Sequence, residues 1–254
     1  MKERKELVFL GGVTEINLIR YARNIGRAFP TMIMIDYLAG LRDAGYGGKD
    51  LLLAARNAEF VTEEVVSCFE NNRQPDIKII DAITWSSGLM FLMKAMPRLS
   101  RCFGTIAAIC PPIDVGQIRW NEWETSQMGN PYLAQWERAD FWAPVHVRIA
   151  SLIEGGAKIV AFLPPLNNGV LDSVEIAAAA ARENNASGGI SRLRSLGTKI
   201  LDTACSDGRV RYKVGDIFQM LHLGIEIRYL PVQGHRKAIR EQGNLAEIRA
   251  YFEE

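Results

Sequence analysis

The sequence predicts an α/β protein: a three-layer sandwich built on a mainly parallel central sheet of five to seven strands. Three observations carry this. Short apolar runs rich in Ile and Val recur along the chain, and a strand covered on both faces by helices needs such continuous apolarity. The segments between them place apolar residues at helical spacing. The two patterns alternate throughout, as in a sheet whose strands are joined by helical crossovers. At 254 residues the chain fits one hydrophobic core, so a single α/β domain over 1–254 is expected.

Six strands are expected at Leu7–Leu10, Met32–Ile35, Ile77–Ile83, Thr105–Cys110, Lys158–Leu163 and Ile225–Leu230, with Leu51–Ala55 open between strand and helix. Thr14–Phe29 carries Ile16, Ile19, Ala22, Ile25 and Phe29 on one helical face, and Thr14 can cap it. Thr62–Asn72 opens on acidic residues, which suit the positive end of a helix dipole. Leu89–Met96 stops at Pro97 and Trp142–Glu154 closes on Gly155-Gly156. Ser173–Asn184 is an alanine-rich helix, and Leu245–Phe252 is the last.

Pro111–Ala139 breaks this rhythm. It carries Trp120, Trp123, Tyr132 and Trp136 with little periodicity, and long excursions in compact domains are usually functional. The tryptophans either pin it to the body or form an aromatic lid over a pocket at the carboxyl rim of the sheet. Ile106–Gly116 and Ile159–Gly169 echo each other, each a strand, a Pro-Pro stop and a polar turn, and are read as two strands ending on the same rim.

Bulk properties narrow the function classes. A net charge of +1 gives no global field to draw the chain onto nucleic acid or anionic lipid. No run approaches the ~20 apolar residues of a membrane span, and the charged N-terminus lacks the long apolar core of a signal peptide, so a cytoplasmic protein is expected. Cys68, Cys102, Cys110 and Cys205 lie far apart with no metal-ligand spacing, and read as buried thiols. No motif names a cofactor or a metal. The expected partner is a small-molecule substrate, without nucleic acid or membrane; self-association is left open.

Ligands of open parallel sheets bind beyond the carboxyl ends of the strands. The residues there are Gly11, Gly12 and Thr14; Asp36 and Tyr37; Thr84, Trp85, Ser86 and Ser87; Pro112 and Asp114; Asn167 and Asn168; and Gly234, His235 and Arg236. Gly11-Gly12 before a helix permits close backbone approach and offers N–H groups to an oxyanion or phosphate, or simply lets the helix pack on the sheet. Ser86-Ser87-Gly88 sits where a strand hands over to a helix, so a serine is an N-cap or an exposed nucleophile; a full G-x-S-x-G elbow is absent. His146 and His222 lie in apolar helical surroundings, whereas His235 stands at the rim beside Arg236 and suits a general base.

In layout these positions resemble the SGNH (GDSL-like) esterases and acyltransferases. Gly11-Gly12-Val13-Thr14 follows the first strand, where that family has its Gly-Asp-Ser block. Arg73–Asp81 looks like its Pro-Asp strand, Gly156–Pro165 like its strand ending in Pro-Pro, and His235 precedes a final helix as its catalytic His does. The resemblance implies ester hydrolysis or acyl transfer on a small polar or carbohydrate-like substrate. His235 would activate Ser86 or Thr14, while Gly12 with Asn167 or Asn168 would stabilise the oxyanion. Two alternatives stay open: a transferase binding a nucleotide or S-adenosylmethionine at Gly11-Gly12 with Asp36 on the ribose, and a catalytically inactive binding protein. Thermal-shift screening would separate the three.

Overall fold

The computed structural model describes residues 6–12, 24–71, 77, 79–100, 102–127, 129–183 and 187–253. Six strands form one parallel sheet: β1 (Glu6–Leu10), β2 (Ile33–Ile35), β3 (Ile79–Trp85), β4 (Cys102–Ile109), β5 (Lys158–Leu163) and β8 (Glu226–Tyr229), in the order β2-β1-β3-β4-β5-β8. Every neighbouring pair is parallel, with Leu10 beside Thr84, Ile83 beside Ala107 and Ala107 beside Val160. Six strands were expected, and all six lie in this sheet.

The continuous apolar runs are explained by the two faces they serve. Along β3, β4 and β5, Ala82, Ala108 and Ala161 belong to one core cluster, while Ile83, Ala107, Val160 and Phe162 belong to the other. Successive side chains thus enter opposite layers, as the two-residue period of a strand demands. The first layer is built by helices Ala58–Asn71, Gly88–Ala95, Pro144–Glu154, Leu171–Arg182 and Val214–His222; residues 24–28 and helix Gln242–Glu253 build the second. Gly88–Ala95 buries all but Lys94, so it is apolar around its whole circumference, as a helix enclosed by the core must be.

One irregularity has a local cause. Between Ile80 and Ala82 the register with β4 slips, and the Asp81 carboxylate accepts the Thr105 amide at 2.7 Å, satisfying a donor in the irregular stretch.

Several expectations shift. Leu51–Ala55 lies in a helix, Gly48–Ala54, extended by Ala55. The helix expected from Thr62 starts at Ala58, because the Asn57 side chain accepts the Phe60 amide and Gln135 accepts the Ala58 amide. The proposed cap Thr14, with residues 13–23, lies outside the described residues. The helices Ser187–Ser195 and Val214–His222 were not anticipated. Nor was the small antiparallel sheet of β6 (Thr203–Ser206) and β7 (Arg211–Lys213).

Residues 111–127 and 129–143 run through short helices and turns. Trp136 is buried, packs on Phe91 and Trp142 with ring centroids 5.7 and 4.7 Å away, and donates its indole N–H to the Arg56 carbonyl. The tryptophans therefore do pin the segment to the buried helix. They also wall a cavity of about 730 Å³ with Trp120 and Trp142.

Candidate active site

The first functional element is the turn between β3 and the helix Gly88–Ala95. Ser86 has φ 56°, a left-handed conformation that an L-residue adopts rarely and that clusters at functional sites. This conformation turns the chain sharply out of the strand, and the Ser86 amide is anchored on the Ile109 carbonyl at 2.9 Å. The turn requires glycine on both flanks. A Cβ on Gly88 would lie 2.4 Å from the Leu10 carbonyl oxygen; one on Gly12 would lie 2.7 Å from Ser86 Cβ and 3.0 Å from the Ser87 nitrogen. Gly11-Gly12 therefore gives the close backbone approach read from the sequence, with the serine turn as the surface approached. Ser87 occupies the N-cap, yet no side chain makes the capping hydrogen bond. The capping explanation of this Ser-Ser pair is thereby removed. The Tyr37 hydroxyl donates to the Gly12 carbonyl at 2.8 Å and holds the glycine loop from below.

The second element joins the final strand to the small hairpin. His235 Nδ1 and Asp207 Oδ2 are 2.6 Å apart, with both side chains buried, and the His235 amide donates to the Asp207 carbonyl at 2.9 Å. Asp207 sits in the turn between β6 and β7, where its other oxygen accepts the Arg209 and Val210 amides at 2.8 and 2.7 Å. Burial alone would raise the Asp207 carboxyl, but His235 and these amides outweigh it and hold it below its ordinary value, so it is ionised. The buried Cys110 thiol is pushed well up by burial and by this carboxylate, and stays protonated. The far ring nitrogen of His235, Nε2, is buried and has no hydrogen-bond partner among the described residues, while the ring lies 4.9 Å from that of Trp85, the residue before Ser86. A carboxylate fixed on one imidazole nitrogen sets the tautomer and frees the other for proton transfer.

A buried ion cluster braces this pair. Glu124, in the helix Glu122–Ser126 of the Trp-rich segment, is fully buried; it accepts Arg56 at 2.6 Å, Arg209 at 2.8 and 2.9 Å, and the Asn121 amide at 2.8 Å. Burial acts to raise its carboxyl, but Arg209, the Asn121 amide and Arg56 prevail and lower it to about 2. Beside the cluster opens a cleft of about 630 Å³ lined by Asp207, His235, Arg56, Arg209, Arg236 and Lys237, among others.

The remaining expected residues divide. Gly12 and Ser86 meet at the turn, and His235 and Arg236 line the cleft. Asn167 and Asn168 are exposed, and the Asn167 side chain donates to the Thr203 carbonyl, bracing the hairpin rather than facing an oxyanion. Asp36 is paired with Arg42 and accepts the Leu38 amide, so its carboxylate is committed within its own turn. Reading the sequence missed Asp207 altogether, along with Arg56, Glu124 and Arg209. An Asp-Gly dipeptide between Thr203–Ser206 and Val210–Lys213 was a hairpin signal that would have located the first.

No protein-family model matches the chain, and no curated protein matches it in sequence. Solved structures do. A lipase-esterase related protein from Clostridium acetobutylicum superposes with a TM-score of 0.53 at 10% identity, covering 99% of this chain and 94% of that one. A hydrolase from Oleispira antarctica gives 0.48 at 16% identity over 99% and 91%. The first likeness establishes a shared fold, that of the α/β-hydrolases, and overturns the SGNH resemblance. The physical reason is the position of the serine turn. It follows β3, in the middle of the sheet, whereas the family's nucleophile block would follow β1, where this chain has Gly11 and Gly12 and where the alternative nucleophile Thr14 lies outside the described residues.

Proposed function

We propose that the protein is a serine hydrolase of esters or related acyl compounds, with Ser86 as nucleophile, His235 as general base and Asp207 as the carboxylate that orients it. The observation that carries the proposal is the buried Asp207–His235 pair at 2.6 Å, whose outer nitrogen has no hydrogen-bond partner among the described residues and whose ring lies 4.9 Å from that of Trp85, the residue before a serine held at φ 56°. The three occur in the chain order Ser, Asp, His that accompanies the nucleophile elbow of this fold. Thr84 stands where the elbow motif has its first glycine, and Gly88 keeps the last.

Ser86 Oγ attacks the carbonyl carbon while its proton passes to His235 Nε2. The negative oxygen that forms lies against the Ser87 and Gly12 amides, at the N-terminal end of the helix Gly88–Ala95, where positive dipole and N–H donors favour it. The carbon–oxygen bond to the leaving alcohol then breaks, and Nε2 returns the proton to that alcohol. Water, activated by the same nitrogen, cleaves the acyl–Ser86 ester and releases the acid.

The test is hydrolysis of p-nitrophenyl butyrate combined with labelling by a fluorophosphonate. Turnover together with a single mass adduct on Ser86, both abolished by Ser86→Ala, is expected. Turnover that survives this substitution would refute the assignment.

A further inference from the structure

The cleft at His235 carries a charge that hydrolysis alone does not require. Resting on the acyl-hydrolase reading, we propose that its substrate is a small anionic acyl compound, bearing a carboxylate or phosphate that docks on the basic wall formed by Arg56, Arg209, Arg236 and Lys237.

The whole chain has a net charge of +1, so a concentration of cations here is a local property of the site. Among the described residues, four cationic side chains line the cleft and Asp207 is its only carboxylate. Asp207 is spent on His235 and two backbone amides. Glu124 neutralises part of the pair Arg56 and Arg209, but one buried carboxylate stands against two guanidiniums. The wall therefore keeps an excess of positive charge, to which Lys237 adds, with its aliphatic stem laid along Gly234 and its ammonium group exposed. Arg56 Nε, buried like His235 Nε2, has no hydrogen-bond partner among the described residues.

Size and lining point the same way. A volume of about 630 Å³ lies within the range of about 300–1,000 Å³ typical of small-molecule sites. Among the described residues Leu52 is the only large apolar side chain in its lining, a poor match for a long alkyl chain. A short acyl group with a charged end satisfies both the cations and the volume.

The experiment compares two esters of similar length, p-nitrophenyl valerate and mono-p-nitrophenyl glutarate, which differ by a terminal carboxylate. The anionic ester should have a kcat/KM about tenfold higher at low salt, as one or two charge-assisted hydrogen bonds provide. The preference should shrink as ionic strength rises, and Lys237→Glu should lower the ratio about tenfold. A preference for valerate, or a ratio indifferent to both salt and Lys237→Glu, would overturn the proposal while leaving the hydrolase reading intact. If neither ester turns over and Ser86 is not labelled, the hydrolase reading fails, and binding decides the anion site alone. Glutarate and glycerol phosphate, which tell carboxylate from phosphate, should each be scanned for a rise in Tm of the wild type that Lys237→Glu loses. No rise with either would sink the anion site.

Discussion

Replacing Asp207 with Asn tests the core of the mechanism while keeping the shape of the site. Asn retains one oxygen, which can go on accepting the Arg209 and Val210 amides now bonded at 2.8 and 2.7 Å. The other oxygen, 2.6 Å from His235 Nδ1, becomes an NH2 group. That group is a donor, so Nδ1 must accept, the ring proton moves to Nε2, and Nε2 can no longer take the proton of Ser86. In serine proteases the equivalent change lowers kcat by about 10⁴-fold with the geometry intact, and the same order is expected here. The structural cost is the loss of a charge-assisted hydrogen bond, about 1.5–3 kcal/mol. The assay is p-nitrophenyl butyrate hydrolysis beside urea unfolding of the same preparation. Retention of more than a tenth of wild-type kcat in a folded variant would refute the role of Asp207, because among the described residues no other carboxylate lines the His235 cleft.

Three further outcomes are expected. Gly12→Ala places a Cβ 2.7 Å from Ser86 Cβ, so kcat should fall by at least about 10²-fold through the displaced oxyanion donors, with a stability loss of about 1–3 kcal/mol measured by denaturation. Tyr37→Phe removes the hydroxyl that holds the Gly12 carbonyl; stability should drop by about 1 kcal/mol and kcat severalfold, with KM unchanged in steady-state assays. Glu124, lowered from 4.5 to about 2, contributes stability that is fully present above pH 4.5 and is lost as pH falls toward 2. That loss should reach about 3 kcal/mol. Urea midpoints across this window should flatten in Glu124→Gln, which should already be weaker at pH 7 because two guanidiniums lose their shared anion.

The sheet was legible because its central strands are buried on both faces, so that Ile77–Ile83, Thr105–Cys110 and Lys158–Leu163 had to be apolar throughout. Ends were less legible. β8 is an edge strand whose Glu226 and Tyr229 face outward, and its run is shortened at both ends. Ser86 and His235 could be found as polar residues just beyond apolar runs. Asp207 could not be found that way, since its hairpin stands outside the main sheet and its flanks are too short to show a period. The charges around it were invisible for another reason. Arg56 and Glu124 lie far apart in the chain and read individually as solvated surface residues; only folding makes them partners. The serine turn was half legible: Gly88 was in place, but Thr84 broke the motif, and the left-handed backbone at a serine has no signature of its own.

Surface excursions usually tolerate substitution, because few contacts constrain them. The Trp-rich segment is an exception through one residue. Glu124 is carried by that segment, yet it grips Arg209, two positions along from Asp207, and Arg56, whose carbonyl receives the Trp136 indole. A change that lengthens, shortens or tilts residues 111–143 is therefore transmitted to the carboxylate that orients His235. Grafting this segment onto a related scaffold would have to carry Arg56 and Arg209 with it, and random variation in it should be purged around Glu124 while the exposed positions of the same helix drift freely.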